Sequence, residues 1–286
     1  MARRHLIMLL ALAAIWGSSF MFIEIALRDL APSTLILLRM ASGALALAVY
    51  IAATGRNLSL LRPLVWPLAL LGLANTAVPF FLIAWGQQYI DSGLASIFNA
   101  SAPLFTALFA IAYDRSQRAT GLRLVGILVG FTGVVLLVGF ELAGGERAVL
   151  GGLAVVAASA CYGIGGLYAG RRFAGLPPSL VAFGALLWST VFVLPFGVAQ
   201  ASSFGWEATL SVLYLGVAAT GVAYLLYFGL IAGAGASKAV LVTYLVPSLA
   251  LVYGAVFLDE QVTALALAGL VLVLAGVALG TGTVKR

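Results

Sequence analysis

Two charged residues stand inside long apolar runs, Glu24 and Arg39, and their chemistry needs explaining first. A charge inside hydrocarbon is costly, so it is kept there by a partner or by a task. Two readings stand for Arg39, roughly 10 Å into its run at helical rise. It can receive a solute carboxylate, or it can be structural, paired with Glu24 at similar depth or snorkelling toward the membrane edge. Glu24 has Arg28 four residues later, the favourable order for a helical pair. It is also the only carboxylate clearly inside an apolar run, hence the one obvious acid for proton coupling. Held by two arginines it would stay ionised, which favours a facilitator driven by the solute gradient over a proton antiporter. Enzymatic chemistry finds no support: His5 is the single histidine, Cys161 the single cysteine, and neither a nucleophile with its base nor a metal-binding pattern is present. No metal, cofactor or catalytic residue is expected.

The uncharged candidates form a second group. Asn75, Asn99 and Thr243 lie at mid-run depth, where facing lipid is expensive, so they should face inward and bind solute or neighbouring helices. Trp16, Tyr162, Tyr224 and Tyr244 are too deep for an interfacial belt and suit an amphipathic pocket that stacks a flat solute. Trp66, Trp206, Tyr50 and Tyr89 lie near run ends and read as the belt itself. Pro103 and Pro247 each remove a helix hydrogen bond, so both read as hinges that expose backbone carbonyls, or as plain helix shaping.

These residues must be positioned by membrane-spanning helices. Hydrophobic residues make up 63% of the 286 positions and charged residues 8%, which leaves too little polar surface for a soluble domain. The net charge of +6 comes from basic residues in ones and twos, without the stripe that nucleic acid requires. Runs long enough to span fall near 6–27, 33–53, 64–86, 93–113, 121–140, 150–170, 179–200, 208–231, 237–257 and 263–283. Turns at Asp91-Ser92-Gly93 and Gly233-Ala234-Gly235 divide the two longest apolar stretches. Arg3-Arg4 before an apolar stretch resembles a signal peptide, but the stretch is long enough to be a retained first span.

Alternation of basic residues sets the orientation. With the N-terminus inside, one face collects Arg3, Arg4, Arg56, Arg62, Arg115, Arg118, Arg123, Arg171, Arg172, Lys238, Lys285 and Arg286, while the other has only Arg28 and Arg147. The acids Asp29, Asp91, Glu141, Glu146, Glu207, Asp259 and Glu260 fall on the poorly basic face. Both termini are therefore expected in the cytoplasm, in a multi-pass protein of the inner membrane.

An internal repeat explains the number ten. Ala-Ile-Trp-Gly-Ser-Ser at 14–19 returns as Ala-Cys-Tyr-Gly-Ile-Gly at 160–165, and Pro32-Ser33 falls on Pro178-Ser179 at the same offset. Thr120 to Leu137 aligns with Thr263 to Gly280 with seven identities in eighteen positions, more than biased composition alone gives. Repeats 1–145 and 146–286 hold five spans each, an odd number, so the second enters from the opposite face. The expected fold is thus an all-α membrane protein of ten transmembrane helices in two inverted five-helix repeats. Exchanging the conformations of two such halves exchanges the open side, which is alternating access. Gly126/Gly130, Gly166/Gly170 and Gly276/Gly280, four apart, are expected to permit close helix contact.

The chain resembles the drug/metabolite transporter superfamily in its EamA-type ten-helix branch. The carriers are Trp16-Gly17-Ser18-Ser19-Phe20, Pro32 with Leu38-Arg39, Ser101-Ala102-Pro103-Leu104, Pro247 with Asp259-Glu260, and the Gly126/Gly133 spacing repeated as Gly269/Gly276. The Glu that follows span four in that pattern is absent, with Asp114-Arg115-Ser116 in its place. The resemblance implies a secondary transporter, most like aromatic amino-acid exporters of the YddG kind. The alternatives are a proton-coupled exporter of drugs or other metabolites and, in another class, a channel, although no charged ring or filter motif is present. Expected partners are a small-molecule solute and the lipid bilayer, with no nucleic acid and no need for more than a monomer.

Overall fold

In the computed structural model, residues 2–113, 121–140 and 145–280 are described, and within them every regular element is helical. Asp114, Arg115, Ser116, Arg118, Thr120, Glu141, Lys285 and Arg286, which entered the sequence reading, lie outside the described residues. Ten spans follow one another. They are α1 (Arg3–Leu27), α2 (Pro32–Ala53), α3 (Val65–Gly72, Leu73–Ala77 and Val78–Gly86), α4 (Ser92–Asn99 and Ala102–Tyr113), α5 (Leu122–Phe140), α6 (Glu146–Arg172), α7 (Pro178–Ala199), α8 (Trp206–Ala234), α9 (Val242–Phe257) and α10 (Ala264–Gly280). Eight stretches are long and apolar enough to cross a membrane, while α9 and α10 are shorter apolar helices. Local chemistry sets several ends. Pro32 and Pro178 open α2 and α7 with a preset φ and a missing N–H that costs nothing there, and Gly235, at φ +89°, breaks the chain after α8.

The inverted duplication is visible in the packing. α1 packs on α9 as α6 packs on α4, and α2 packs on α8 as α7 packs on α3, while α5 with α10 and α2 with α7 meet across the repeat axis. Lipid offers no hydrophobic drive for helix association, so close backbone approach and buried polar contacts hold the bundle. On the α5/α10 seam, Gly126 faces Leu279 and Gly280, and Gly276 faces the Gly130 backbone, so neither has room for a Cβ. Gly166 and Gly170 depart from expectation, since open space lies beside both. In α6 the close contacts belong to Gly163, against Phe105 and Thr106, and Gly165, against Asn75. Buried hydroxyls add cross-links: Ser189 Oγ donates to the Gly72 carbonyl at 2.9 Å and also contacts Thr76, joining α7 to α3. Ser159 Oγ donates to the Phe98 carbonyl at 3.1 Å, joining α6 to α4.

Two irregularities escaped the sequence reading. α3 and α8, which are repeat partners, each contain a π-helical segment, Leu73–Ala77 and Tyr214–Val222. Such widened turns leave carbonyls available and are frequent at functional sites. The proline-bearing spans α4 and α9 are both interrupted, though not equivalently. The break in α4 is at 100–101, just before Pro103, whereas a short helix, Ala236–Ala239, precedes a break at 240–241 and Pro247 lies inside continuous helix.

Candidate functional site

The interruptions and π segments surround a cavity of about 700 Å³ between the two repeats. A volume of this size suits a small organic solute. Trp16, Arg39, Asn75, Asn99, Pro103, Tyr162, Tyr224, Thr243 and Pro247 all line it. Tyr244 does not; it is half-buried in the surrounding packing, and Tyr227, one helical turn from Tyr224 on α8, takes the place expected of it. Phe20, Ile23, Phe80 and Ile83 complete the apolar wall. The wall is ordered by specific contacts. Trp16 Nε1 donates to the Ala219 carbonyl inside the α8 π segment at 3.1 Å, and its ring lies 5.4 Å from that of Tyr227. Tyr162 meets Phe80 edge to face at 6.2 Å. Pro103 and Pro247 contribute ring surface on facing spans. At the other end of the molecule's aromatic set, Trp66 and Trp206 are 77% and 71% exposed at span starts, where a belt belongs.

Among the described residues, Arg39 and Arg123 are the charged side chains that line the cavity, Arg123 at its end. Arg39 is buried and forms no ion pair among the described residues. Its Nε donates to Thr220 Oγ1 in the α8 π segment at 3.2 Å, and its guanidinium carbon sits 4.3 Å from the centroid of the Phe80 ring. The pair with Glu24 is therefore not formed. Glu24 lies outside the cavity lining, one turn beyond Phe20 and close to Gln87. The Gln87 amide nitrogen donates to the Phe20 carbonyl at 3.0 Å, which leaves Gln87 Oε1 and Glu24 Oε2 as buried acceptors without a partner. Arg28, exposed, acts on Glu24 through space only. An ionised Glu24 clamped by two arginines is thus absent, and with it the reason for expecting a passive facilitator.

The cavity runs from Ile23 to Arg123 and Val240, at the end of the bundle shared by the N-terminus and the end of α10. Arg123 Nε donates to the Gly280 carbonyl there at 3.2 Å. At the opposite end the two repeats meet in a direct contact. The Glu260 carboxylate accepts the backbone N–H groups of Ser92 at 2.8 Å and Gly93 at 3.0 Å, the first turn of α4. An anion at this end of a helix also complements the helix dipole. The loop after α9 is shaped for this, with Asp259 in the left-handed region at φ 57° and Glu260 N–H donating to the Gly254 carbonyl at 3.1 Å. A Cβ on Gly254 would collide with Glu260 Oε2. Burial of its carboxyl, then the like charge of Glu260, pushes Asp91 up from its ordinary value, although the residue as a whole is exposed.

Against this geometry, the EamA-like transporter family matches residues 3–139 and 149–281, nearly the whole chain and once for each repeat. The chain belongs to the EamA-like transporter family. It is 30% identical over 268 residues to a Streptantibioticus cattleyicolor protein named "Probable terminal-alkyne amino-acid exporter", with 92% of this chain and 89% of that protein covered. It is 27% identical to an Escherichia coli protein named "Probable amino-acid metabolite efflux pump", covering 96% and 94%, and 23% identical to the Bacillus subtilis transporter YoaV, covering 97% of each. A crystal structure at 22% identity superposes over 100% of both chains with a TM-score of 0.72, which shows the shared fold. This EamA-family chain is a multi-pass membrane transporter for a small solute.

Proposed function

We propose that this transporter exports neutral amino acids, aromatic ones above all, from the cytoplasm by alternating access, with both termini on the cytoplasmic side of the inner membrane. The observation that carries the reading is the cavity wall: Trp16, Phe80, Tyr162, Tyr224 and Tyr227 around a small set of polar groups, with Arg123 lining its basic end. Aromatic walls bury and stack a flat side chain. Asn99 Oδ1, a buried acceptor without a partner, offers the amino group a hydrogen bond, and Asn75 and Thr243 add further polar positions. The relatives named for amino-acid export point the same way. Labelled phenylalanine counterflow in proteoliposomes tests it: flux should appear and fall at least tenfold in Trp16→Ala with Tyr227→Ala. Absence of flux for every aromatic amino acid in folded protein would end the substrate assignment.

A second reading concerns coupling. Glu24 Oε2 is a buried carboxylate oxygen without a partner, and a bound proton would relieve the cost of leaving it charged there. Export would then be proton-coupled. Accumulation above equilibrium under an imposed pH gradient, lost in Glu24→Gln while counterflow persists, is the expected result, and gradient-independent accumulation in wild type would exclude it.

A further inference from the structure

An uncompensated cation in the middle of a transport cavity needs an anion. Arg39 is 6% exposed, and a guanidinium taken out of bulk water is best stabilised by a counter-charge with hydrogen bonds. The described protein supplies little of either. Of the five guanidinium donors, one is used, Nε to Thr220 Oγ1, and the terminal nitrogens have no protein partner. The Phe80 ring covers one face of the guanidinium plane, and Tyr162 and Tyr224 are its electrostatic neighbours. Stacking on one face leaves the planar edge, and that edge is the fork which binds a carboxylate through two parallel hydrogen bonds.

The geometry points to Arg39 as the receptor for the solute's carboxylate, so that the cavity selects carboxylic acids and zwitterions over the matching amines and amides. The assignment deepens the amino-acid reading and rests on its transport cavity. One fixed charge matches one carboxylate. A phosphate dianion would bring a second negative charge that no cation near Arg39 balances, since Arg123 stands at the far end of the cavity, engaged with the Gly280 carbonyl. The alternative, a purely structural arginine tying α2 to the α8 π segment, accounts for the Thr220 bond and the Phe80 contact but gives the terminal nitrogens no protein partner.

The test uses matched ligands on the purified full-length protein. Thermal stabilisation and competition against labelled phenylalanine are measured with phenylalanine, phenylalaninamide and phenethylamine, and with leucine and leucinamide as a second series. Wild type should prefer each acid over its amide by ~30-fold or more, the range expected when one partner of a buried charged pair is removed. Arg39→Gln should abolish that preference, and Arg39→Lys should restore part of it because it keeps the charge but not the fork. Equal competition by acids and amides in wild type overturns the assignment without needing any variant to fold. Stabilisation by chloride or phosphate equal to that by the acids overturns it too. If phenylalanine is not bound but leucine is preferred over leucinamide through Arg39, the aromatic reading falls and the carboxylate receptor stands.

Discussion

Substituting Glu260 by Gln perturbs the contact between repeats beyond Ile23, where a closed, latched end of the cavity is expected, with little change of shape. In the structure both carboxylate oxygens are used, at 2.8 and 3.0 Å to the Ser92 and Gly93 N–H groups. A hydrogen bond to a charged group contributes about 1.5–3 kcal/mol. Glutamine keeps one neutral acceptor and turns an amide N–H toward a backbone N–H, so at least one such bond is lost. A loss of ~1.5–3 kcal/mol shifts the balance between latched and open states by ~10- to 100-fold. Ile23 lines the cavity toward this end and is buried in the latched state, so it can report. In an Ile23→Cys, Cys161→Ser background, the rate of modification by a membrane-impermeant thiol reagent applied from the Glu260 side should rise about tenfold or more on Glu260→Gln. Gly254→Ala, which drives a Cβ into the carboxylate, should do the same. An unchanged rate in both, with only a fall in thermal stability, would mean that Glu260 caps a helix and latches nothing.

Three further outcomes follow from the same geometry. Gly276→Ala should lower the melting temperature, because its Cβ would strike the Gly130 backbone, while Gly166→Ala, facing open space, should leave it unchanged or raise it; a fall of equal size in both would refute the seam on α5 and α10. Asp91, whose carboxyl is pushed up in the latched state by burial and by Glu260, binds its proton more tightly there, with Glu24 a third acid in the group and Arg28 the nearby cation. Acidification through the raised value should therefore favour the latched state, latching should weaken as pH rises through it, and Asp91→Asn should remove the Asp91 share of that dependence in the Ile23→Cys labelling rate. Tags at the two termini should report the same, cytoplasmic side, and opposite sides would refute the proposed orientation.

The fold was legible because its signals are long-range in the sequence. Ten apolar runs, twelve basic residues on alternate connections and seven identities between Thr120–Leu137 and Thr263–Gly280 depend on no single contact, and the family match and helical architecture agree with the ten-span, two-repeat reading. The cavity was legible in outline for a related reason. Polar and aromatic residues at mid-span depth must face inward, and Trp16, Asn75, Asn99, Tyr162, Tyr224 and Thr243 do. What failed was rotation about helix axes. Tyr224, Tyr227 and Tyr244 are equally deep by residue count, but the π segment at Tyr214–Val222 resets the phase of α8, and the break at 240–241 resets that of α9. The same uncertainty misplaced Arg39 against Glu24: similar depth on neighbouring spans says nothing of facing, and one turns to the cavity while the other turns to Gln87. Gly166 and Gly170 failed likewise, their spacing being right for a seam on a face that meets open space.

Duplication alone would make the two ends of the cavity equivalent, and here they are not. At the offset that relates Pro103 to Pro247, the latch residues Glu260, Gly254 and Gly93 correspond to Ser116, Ala110 and Ser237. The second repeat supplies a carboxylate and the first does not, and the glycines that admit Glu260 beside α4 are replaced by residues bearing a Cβ. At this alignment the first repeat thus has no carboxylate at the position of Glu260 and no glycine at the positions of its neighbours. Inverted halves give alternating access only if the two arrangements are close in free energy, and any difference between repeats sets which is populated at rest. With about 1.5–3 kcal/mol per charge-assisted bond on one side and no counterpart in sequence on the other, the difference favours closure at Glu260 and access through Ala110 and Arg123. The proposed export would need that resting state, since its solute would be collected at the basic end before the Glu260 contact gives way.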